Sequence, residues 1–334
     1  MDHLFSNDFN GVVSVLHKDQ PLFQKAYGFA DIPNQIQNEM NTKFATASAG
    51  KAFVAAGIMK LIEDEKLSLE TKIGEVLDFD LKQIDPNITI HQLLNHTSGI
   101  PDYFDESVMD EYSELFRDYP NYKIRTSMDL LPLFINKPMM YPKGKKFQYN
   151  NTGYVVLGLV IESISKLPFD SYLDTTIFKP LHMNETGYYE LDRLPAKCAN
   201  AYIFDEQTMQ YYTNIYSVDV KGTGAGGAFT TVSDIENFWI GLSHFKVISK
   251  ESFSLMTSPQ VDCKEYGYGF WLMKDSQSPF FQGSDPGVSF ISSYDVNKHL
   301  IITIASNLGQ DVWKMHRDIR QALDCHNLTA DYLY

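Results

Sequence analysis

Apolar and polar positions change period along this chain, and the changes divide it. The runs FNGVVSVLHK (9–18) and PLFQKAYGF (21–29) are β-branched and aromatic, and they flank Lys18-Asp19-Gln20, so they predict a hairpin. KAFVAAGIMKLIEDEKL (51–67) has the length and composition of a helix. From about 76 to 224 the pattern is mixed, with helical runs, aromatic loops and no repeated unit. Within it, YVVLGLVI (154–161) reads as a buried helix segment, and residues 102–125, rich in Tyr, Asp and Glu, read as an exposed, partly helical excursion. Ser233-Asp234-Ile235-Glu236 has the form of a capping box opening a helix through Phe238, Trp239 and Leu242. Strand patterns then return as YGYGFWLM (266–273), PFFQG (279–283), VSFISSYD (288–295) and HLIITIAS (299–306). The last two are joined by a Val296-Asn297-Lys298 turn, and a helix over about 311–324 closes the chain. Strands at both ends around a helical middle predict an α+β fold with one sheet built from both termini. The expected division is a discontinuous sheet domain, 1–75 with 225–334, and a helical domain over 76–224.

Charge and cysteine content narrow the function classes. A net charge of −14 argues against nucleic-acid or anionic-membrane partners, which require a basic face. No stretch approaches the roughly 18 apolar residues of a membrane span. The start, MDHLFSNDF, has no basic segment followed by a long apolar core, so it reads as no signal peptide, and the expectation is a cytoplasmic protein or one whose leader has been removed. Cys198, Cys263 and Cys325 are odd in number and widely spaced, which fits a reduced compartment. No Cys-x-x-Cys or His-x-x-x-His pairing occurs, and His91 and His96 are poorly spaced to share a ligand, so neither metal nor cofactor is expected.

Candidate chemistry gathers at the front of the 51–67 helix. Ser48 and Lys51 stand three residues apart, a spacing that puts hydroxyl and amine on one helix face. A serine hydroxyl needs a base to become a nucleophile, and a lysine serves only if burial or a nearby positive charge lowers its pKa. Phe44, Ala45, Ala47, Ala52 and Phe53 supply apolar cover. Ser-x-x-Lys also occurs at Ser163/Lys166 and Ser243/Lys246, but both end helix-like runs, where the lysine complements the helix C-terminus. Tyr-x-Asn occurs at Tyr149/Asn151 and Tyr212/Asn214. Tyr149 alone reads as a turn aromatic, and Asn151 as a helix cap before Thr152-Gly153-Tyr154. The glycines Gly222, Gly224, Gly226 and Gly227 lack a following Lys-Ser/Thr and form no P-loop; a loop near the site is expected. Absence of Gly-x-Ser-x-Gly disfavours an α/β-hydrolase.

Longer segments carry a resemblance. FATASAGKAFVAAGIMKLIEDEKLSL (44–69), ITIHQLLNHTSGIPDY (88–103), YPKGKKFQYNNTGYVVLGLVIESIS (141–165), FKPLHMNETGY (178–188), GAGGAFTTVSDIENF (224–238), YGYGFWL (266–272) and GSDPGVSFIS (283–292) are similar, in order, to the serine β-lactamase-like family. That family includes class C β-lactamases, D-alanyl-D-alanine carboxypeptidases, related esterases and D-amino-acid amidases. The resemblance implies an antiparallel sheet flanked by helices, an inserted mainly helical region, and an active site between them. It implies Ser48 as acyl-carrying nucleophile, Lys51 and Tyr149 as proton carriers, with the tyrosine pKa lowered, and Asn151 holding Lys51 and the substrate. It implies that His96-Thr97-Ser98-Gly99 is a structural turn. The third family motif, Lys or His-x-Gly, departs here to Phe281-Gln282-Gly283, with Ser284 as expected second oxyanion donor. Phenylalanine cannot attract a carboxylate. The expected substrate is therefore a neutral ester or small amide, unless Lys221 or Arg193 supplies the charge or Phe281 only fills core. Alternatives are penicillin-binding, D-Ala-D-Ala peptidase or β-lactamase activity, and a non-turnover binding or sensing relative. Oligomeric state is open.

Overall fold

The structure is a computed structural model that describes residues 1, 2, 5, 8–260 and 263–325. Strands β1 (Gly11–His17) and β2 (Gln20–Tyr27) form the antiparallel hairpin. Lys18 and Asp19 both take positive φ, 51° and 61°, the conformation of a two-residue turn whose twist matches its strands. Short strands β3 (Phe29–Asp31), β4 (Ile36–Gln37) and β5 (Phe44–Ala45) lead through a 3-10 turn, Ala47–Gly50, into helix α1 (Lys51–Glu63). The middle of the chain holds α2 (Ile73–Val76), α3 (Ile90–Leu94), α4 (Asn151–Ser165), α5 (Phe169–Leu173) and the hairpin β6 (Tyr202–Asp205)–β7 (Gln210–Thr213). Then come β8 (Phe229–Thr230), α6 (Val232–Ser243), α7 (Lys250–Met256), β9 (Trp271–Leu272), β10 (Pro279–Asp285), β11 (Val288–Asp295), β12 (Leu300–Ser306) and α8 (Val312–Cys325).

One six-stranded sheet, in the order β2-β1-β12-β11-β10-β9, joins the two ends of the chain, and its neighbours pair antiparallel. The fold is α+β, as the strand pattern predicts. Side chains alternate between faces at the strand period. Val12, Leu16, Phe290 and Ile301 enter the large core with α1 and α6. Val13, Val15, Ile291, Ile302 and Ile304 pack against α8 through Val312, Ile319 and Leu323. Helix α1 is buried nearly all round, from Lys51 to Met59 and at Leu61, because elements cover it on every side. Phe53 meets Phe178 and Phe238 edge-on at 5.2 and 5.0 Å.

Three local expectations change. Helix α6 begins before Ser233: Thr231 is the cap, its hydroxyl accepting from the Asp234 N–H at 3.2 Å. Glu236 is thereby freed to accept from Ser14 of β1. Of YGYGFWLM only Trp271–Leu272 pairs as strand, because Gly269 turns the backbone at φ 80° against Ala55 of α1. Residues 102–125 are not merely an exposed excursion, since Tyr103 is buried and Phe104, Tyr112 and Phe116 pack on the large core. Among the described residues no single helix is long and apolar enough to cross a membrane. Cys198 and Cys263 are free, and the Cys325 side chain lies outside what is described.

Candidate active site

Ser48 sits in the 3-10 turn that feeds α1, and its backbone is clamped from two sides. A Cβ on Gly283 of β10 would lie 2.6 Å from the Ser48 nitrogen, and one on Gly226 would lie 3.0 Å from it. Only glycine permits that approach. Ala47, immediately before, takes φ 47°, a left-handed conformation that an alanine holds only when its surroundings enforce it. The glycine-rich loop therefore reaches the site, as its composition predicts.

Lys51 is 2% exposed, and its Nζ has three oxygen neighbours: Ser48 Oγ at 3.0 Å, Asn151 Oδ1 at 2.8 Å and the Ala225 carbonyl at 2.6 Å. Two of these can only accept. A neutral amine must spend its donors on Asn151 and Ala225, which leaves its lone pair for the one neighbour with a proton to give, the Ser48 hydroxyl. Burial pulls the amine down to about 8, with Glu106, Asp102 and Asp285 pushing back. Tyr149 lies under the same amine, its ring centroid 4.9 Å from Nζ; it stacks on Trp271 at 5.8 Å and meets His96 at a tilt, 4.6 Å between ring centres. Burial raises its phenol well above 10, and a hydrogen bond with Ser48 only partly offsets this. The lowered tyrosine pKa expected from the motif is not found, because burial of the phenol outweighs the hydrogen bond with Ser48 even with Lys51 over the ring. At rest Tyr149 is a phenol, and Lys51 is the group poised near neutrality.

Helix α4 presents Asn151. Its cap is Asn150 rather than Asn151, the Asn150 Oδ1 accepting from the Gly153 N–H at 2.8 Å. Buried Asp102 accepts from the Asn151 and Thr152 N–H groups at 2.8 and 3.0 Å, an anion on the positive end of the helix. Asn151 Nδ2 donates to Phe104 O at 3.2 Å and Glu106 Oε1 at 3.3 Å, fixing which way the amide faces. His96 Nδ1 accepts from the Asn150 N–H at 3.1 Å, so its proton rests on Nε2, which is buried without a partner. Burial and Lys51 keep this imidazole neutral. Its place behind Tyr149 fits the structural turn expected of 96–99.

Phe281 is not in the site. It is 1% exposed, among Phe53, Phe238, Trp239, Phe270 and Phe290 at 5.0–6.4 Å between ring centres throughout the cluster. The reason is strand alternation: positions 281 and 283 share one face, and there glycine meets the nucleophile turn while the phenylalanine fills the core beneath. Gln282, Gly283 and Ser284 do line the cleft. Neither replacement cation is present there, because Lys221 pairs with Asp170 at 2.6 Å and Arg193 with Glu190 at 2.7 Å. Ser163 donates to Val76 O and Lys166 ends α4 in the left-handed conformation; Ser243 donates to Ile240 O at 3.2 Å. Both duplicates are helix ends. Asn214, of the second Tyr-x-Asn, holds Pro286 O at 2.9 Å.

Two cavities meet at Ser48, one of ≈ 270 Å³ and one of ≈ 650 Å³. Both are lined by Ser48, Phe104, Glu106, Tyr112, Ser284 and Asp285. The smaller runs on to Leu191, Val218 and Asp219, and the larger opens past Tyr149 and Trp271. Sequence reasoning missed Trp271, Ala225, Glu106, Asp219 and Asp285. The acidic-aromatic composition of 102–125, the glycine run around Ala225 and the Asp in GSDPG pointed toward some of them.

A serine whose hydroxyl meets a buried, near-neutral lysine, between a sheet and a helical layer, defines a serine hydrolase of the acyl-enzyme class. The chain belongs to the Beta-lactamase family, whose model matches residues 4–325. It is similar to penicillin-binding protein 4* of Bacillus subtilis (strain 168), at 28% identity over 327 residues, 91% of this chain and 69% of that protein. It superposes on the crystal structure of a penicillin binding protein from Bacillus halodurans with TM-score 0.90 and 36% identity, over 95% of this chain and 97% of the other. D-amino acid amidase from Ochrobactrum anthropi SV3 shares the fold at 21% identity and TM-score 0.79, over 97% of this chain and 96% of the other.

Proposed function

We propose that the protein hydrolyses esters or small amides whose acyl group carries no carboxylate, through an acyl-enzyme on Ser48. The observation that carries this is the Lys51 amine, buried and shared between Ser48 Oγ, Asn151 Oδ1 and Ala225 O. In the first step Ser48 Oγ gives its proton to the neutral Lys51 as the Oγ–carbon bond forms. In this reading the N–H groups of Ser48 and Ser284 serve as donors to the developing oxyanion. The Tyr149 phenol then gives its proton to the departing oxygen or nitrogen as that bond breaks, and is refilled from the Lys51 ammonium. Water deacylates by the same path reversed: its proton passes to Tyr149 and Lys51, and Ser48 Oγ leaves reprotonated. Each half-reaction restores neutral Lys51 and neutral Tyr149.

The substrate class follows from what lines the cleft. Neither cavity has a Lys, Arg or His among its described lining residues, so no cationic side chain there complements a carboxylate. The family relationship to penicillin-binding proteins favours a second reading, acylation by penicillin. Intact-mass measurement after exposure to methyl 3-phenylpropanoate, p-nitrophenyl acetate and benzylpenicillin separates the two. The expected result is fast turnover of the neutral esters, a Ser48→Ala variant that takes no acyl mass, and slow acylation by penicillin. A stable penicilloyl adduct with no ester turnover supports the second reading instead.

A further inference from the structure

Deepening the Ser48 hydrolase reading, on which it rests, we propose that Trp271 and Trp313 make the larger cavity a site for a flat aromatic leaving group without negative charge. The favoured substrates are then esters or amides of aromatic alcohols or amines. The linings of the two cavities set the side of the scissile bond. Among the described residues, Tyr149, which in that reading hands its proton to the departing atom, lines only the ≈ 650 Å³ cavity. Asn151, which holds Lys51, lines only the ≈ 270 Å³ one. A group leaving past Tyr149 therefore enters the larger cavity, and the acyl group stays in the smaller.

The wall beyond Tyr149 is built from rings. Trp271 lies nearly parallel to Tyr149, at 21° with 5.8 Å between ring centres, so the stack runs on from the proton donor along the cavity. On β9 Trp271 stands opposite Phe280 of β10, which puts it on the sheet face of Gln282 and Ser284, and both of these line the same cavity. Tyr266 packs against the Trp271 indole in a T-shape at 4.8 Å, and Phe147 does so at 6.3 Å. A half-buried indole held in this way loses little freedom when a ligand ring covers it. Trp313, near the start of α8, and Phe104 and Met109 of the 102–125 segment add further apolar lining. A flat ring laid on these rings gains from offset stacking beyond the area it buries. The charged side chains among the described lining residues are Glu106, Asp110, Glu111 and Asp285, all acidic, so a leaving group with a carboxylate of its own is opposed.

Four esters test this. Benzyl propanoate and cyclohexylmethyl propanoate carry a ring on the leaving group; their isomers methyl 3-phenylpropanoate and methyl 3-cyclohexylpropanoate carry it on the acyl group. Each kcat/KM is divided by that ester's alkaline hydrolysis rate, because benzyl alcohol is chemically the better leaving group. Cyclohexyl is the more hydrophobic ring, so burial alone favours it and only stacking reverses the order. The expected phenyl-to-cyclohexyl ratio is roughly three to ten for the leaving-group pair and one or less for the acyl pair. Trp271→Leu should bring the leaving-group ratio down to one or below, Trp271→Phe should keep most of it, and Trp313→Leu should lower it in part. Both propanoates pass through the same propanoyl-enzyme, so their difference arises in acylation, and a variant that only displaces Tyr149 slows both alike. Fluorophosphonate labelling, whose leaving group is fluoride and needs no ring site, reports in every variant that Ser48 is reactive. A wild-type leaving-group ratio of one or less with Ser48 labelled overturns the aromatic site and leaves the hydrolase reading standing. An aromatic preference confined to the acyl pair, or one unmoved by both leucine substitutions, does the same. If Ser48 takes neither the probe nor any ester, the hydrolase reading falls and the aromatic site with it.

Discussion

Asn151→Asp puts a negative charge where the structure has a neutral acceptor, 2.8 Å from the Lys51 amine. The side chain keeps its shape, so the change is chiefly electrostatic. At an effective dielectric near 20, a unit charge about 4 Å away is worth about 4 kcal/mol, or roughly three pKa units. The repulsion of Glu106 across the amide reduces this to about two units. The amine then moves from about 8 to about 10. A lysine base works only when neutral, and at pH 7 that fraction drops from roughly one-tenth to one-thousandth. Acylation at pH 7 should therefore fall about a hundredfold and recover as the pH is raised past 10. The assay is single-turnover acylation by a neutral ester from pH 5 to 11, followed by intact mass. Asp102 titrates near 6 and Asp219 and Asp285 near 7, so the limb belonging to Lys51 is identified as the one that moves. A midpoint that stays put, or a loss that alkali does not restore, refutes the assignment of Lys51 as base.

Lys51→Ala and Tyr149→Phe should each lower turnover by roughly a hundred- to ten-thousandfold, and the double variant should be little worse, since both serve one proton path; multiplying losses in kcat would show independent roles. Phe281→His should not recruit penicillin. It should cost roughly 2–4 kcal/mol in urea unfolding, because an imidazole replaces a ring packed on Phe53, Phe238 and Trp239; faster penicillin acylation without loss of stability would contradict the core placement. Asp285→Asn should stabilise the protein at pH 8 by roughly 1–2 kcal/mol. The sign follows from its raised folded pKa, about 7 against 3.8: the folded state binds the extra proton, so ionisation costs stability as pH climbs between those values. The gain should shrink at pH 5 and vanish by pH 3, and a gain equal at all three pH values would point to another cause.

What the sequence disclosed and what it withheld differ in kind. The hairpin, α1, α4 and strands β10 to β12 were legible because each carries its own period and its own turn residues. Ser48 and Lys51 were legible because spacing along a helix start fixes a shared face, and the family motif chose them among duplicates and supplied the role of Asn151, which alone read as a helix cap. Phe281 was misplaced because a motif aligns positions along a strand but does not say which side of the sheet has room. The neighbouring Trp239, Phe238 and Phe53 decide that, and they lie on other elements. Trp271, Asp219 and Glu106 were not singled out, for a related reason. Nothing local distinguishes an acidic residue on a loop from one folded over a nucleophile, and only the packing of Tyr103, Phe104 and Tyr112 brings the 102–125 segment down onto Ser48.

The same carboxylates that crowd the pocket also set its base. Burial lowers Lys51, while Glu106, Asp102 and Asp285 act to raise it. Glu106→Gln removes one of those opposing charges, so it should lower the midpoint of the alkaline rise in kcat/KM measured with a neutral ester such as methyl 3-phenylpropanoate. A midpoint that stays in place while Ser48 still takes a fluorophosphonate would mean that Lys51 is tuned by burial alone.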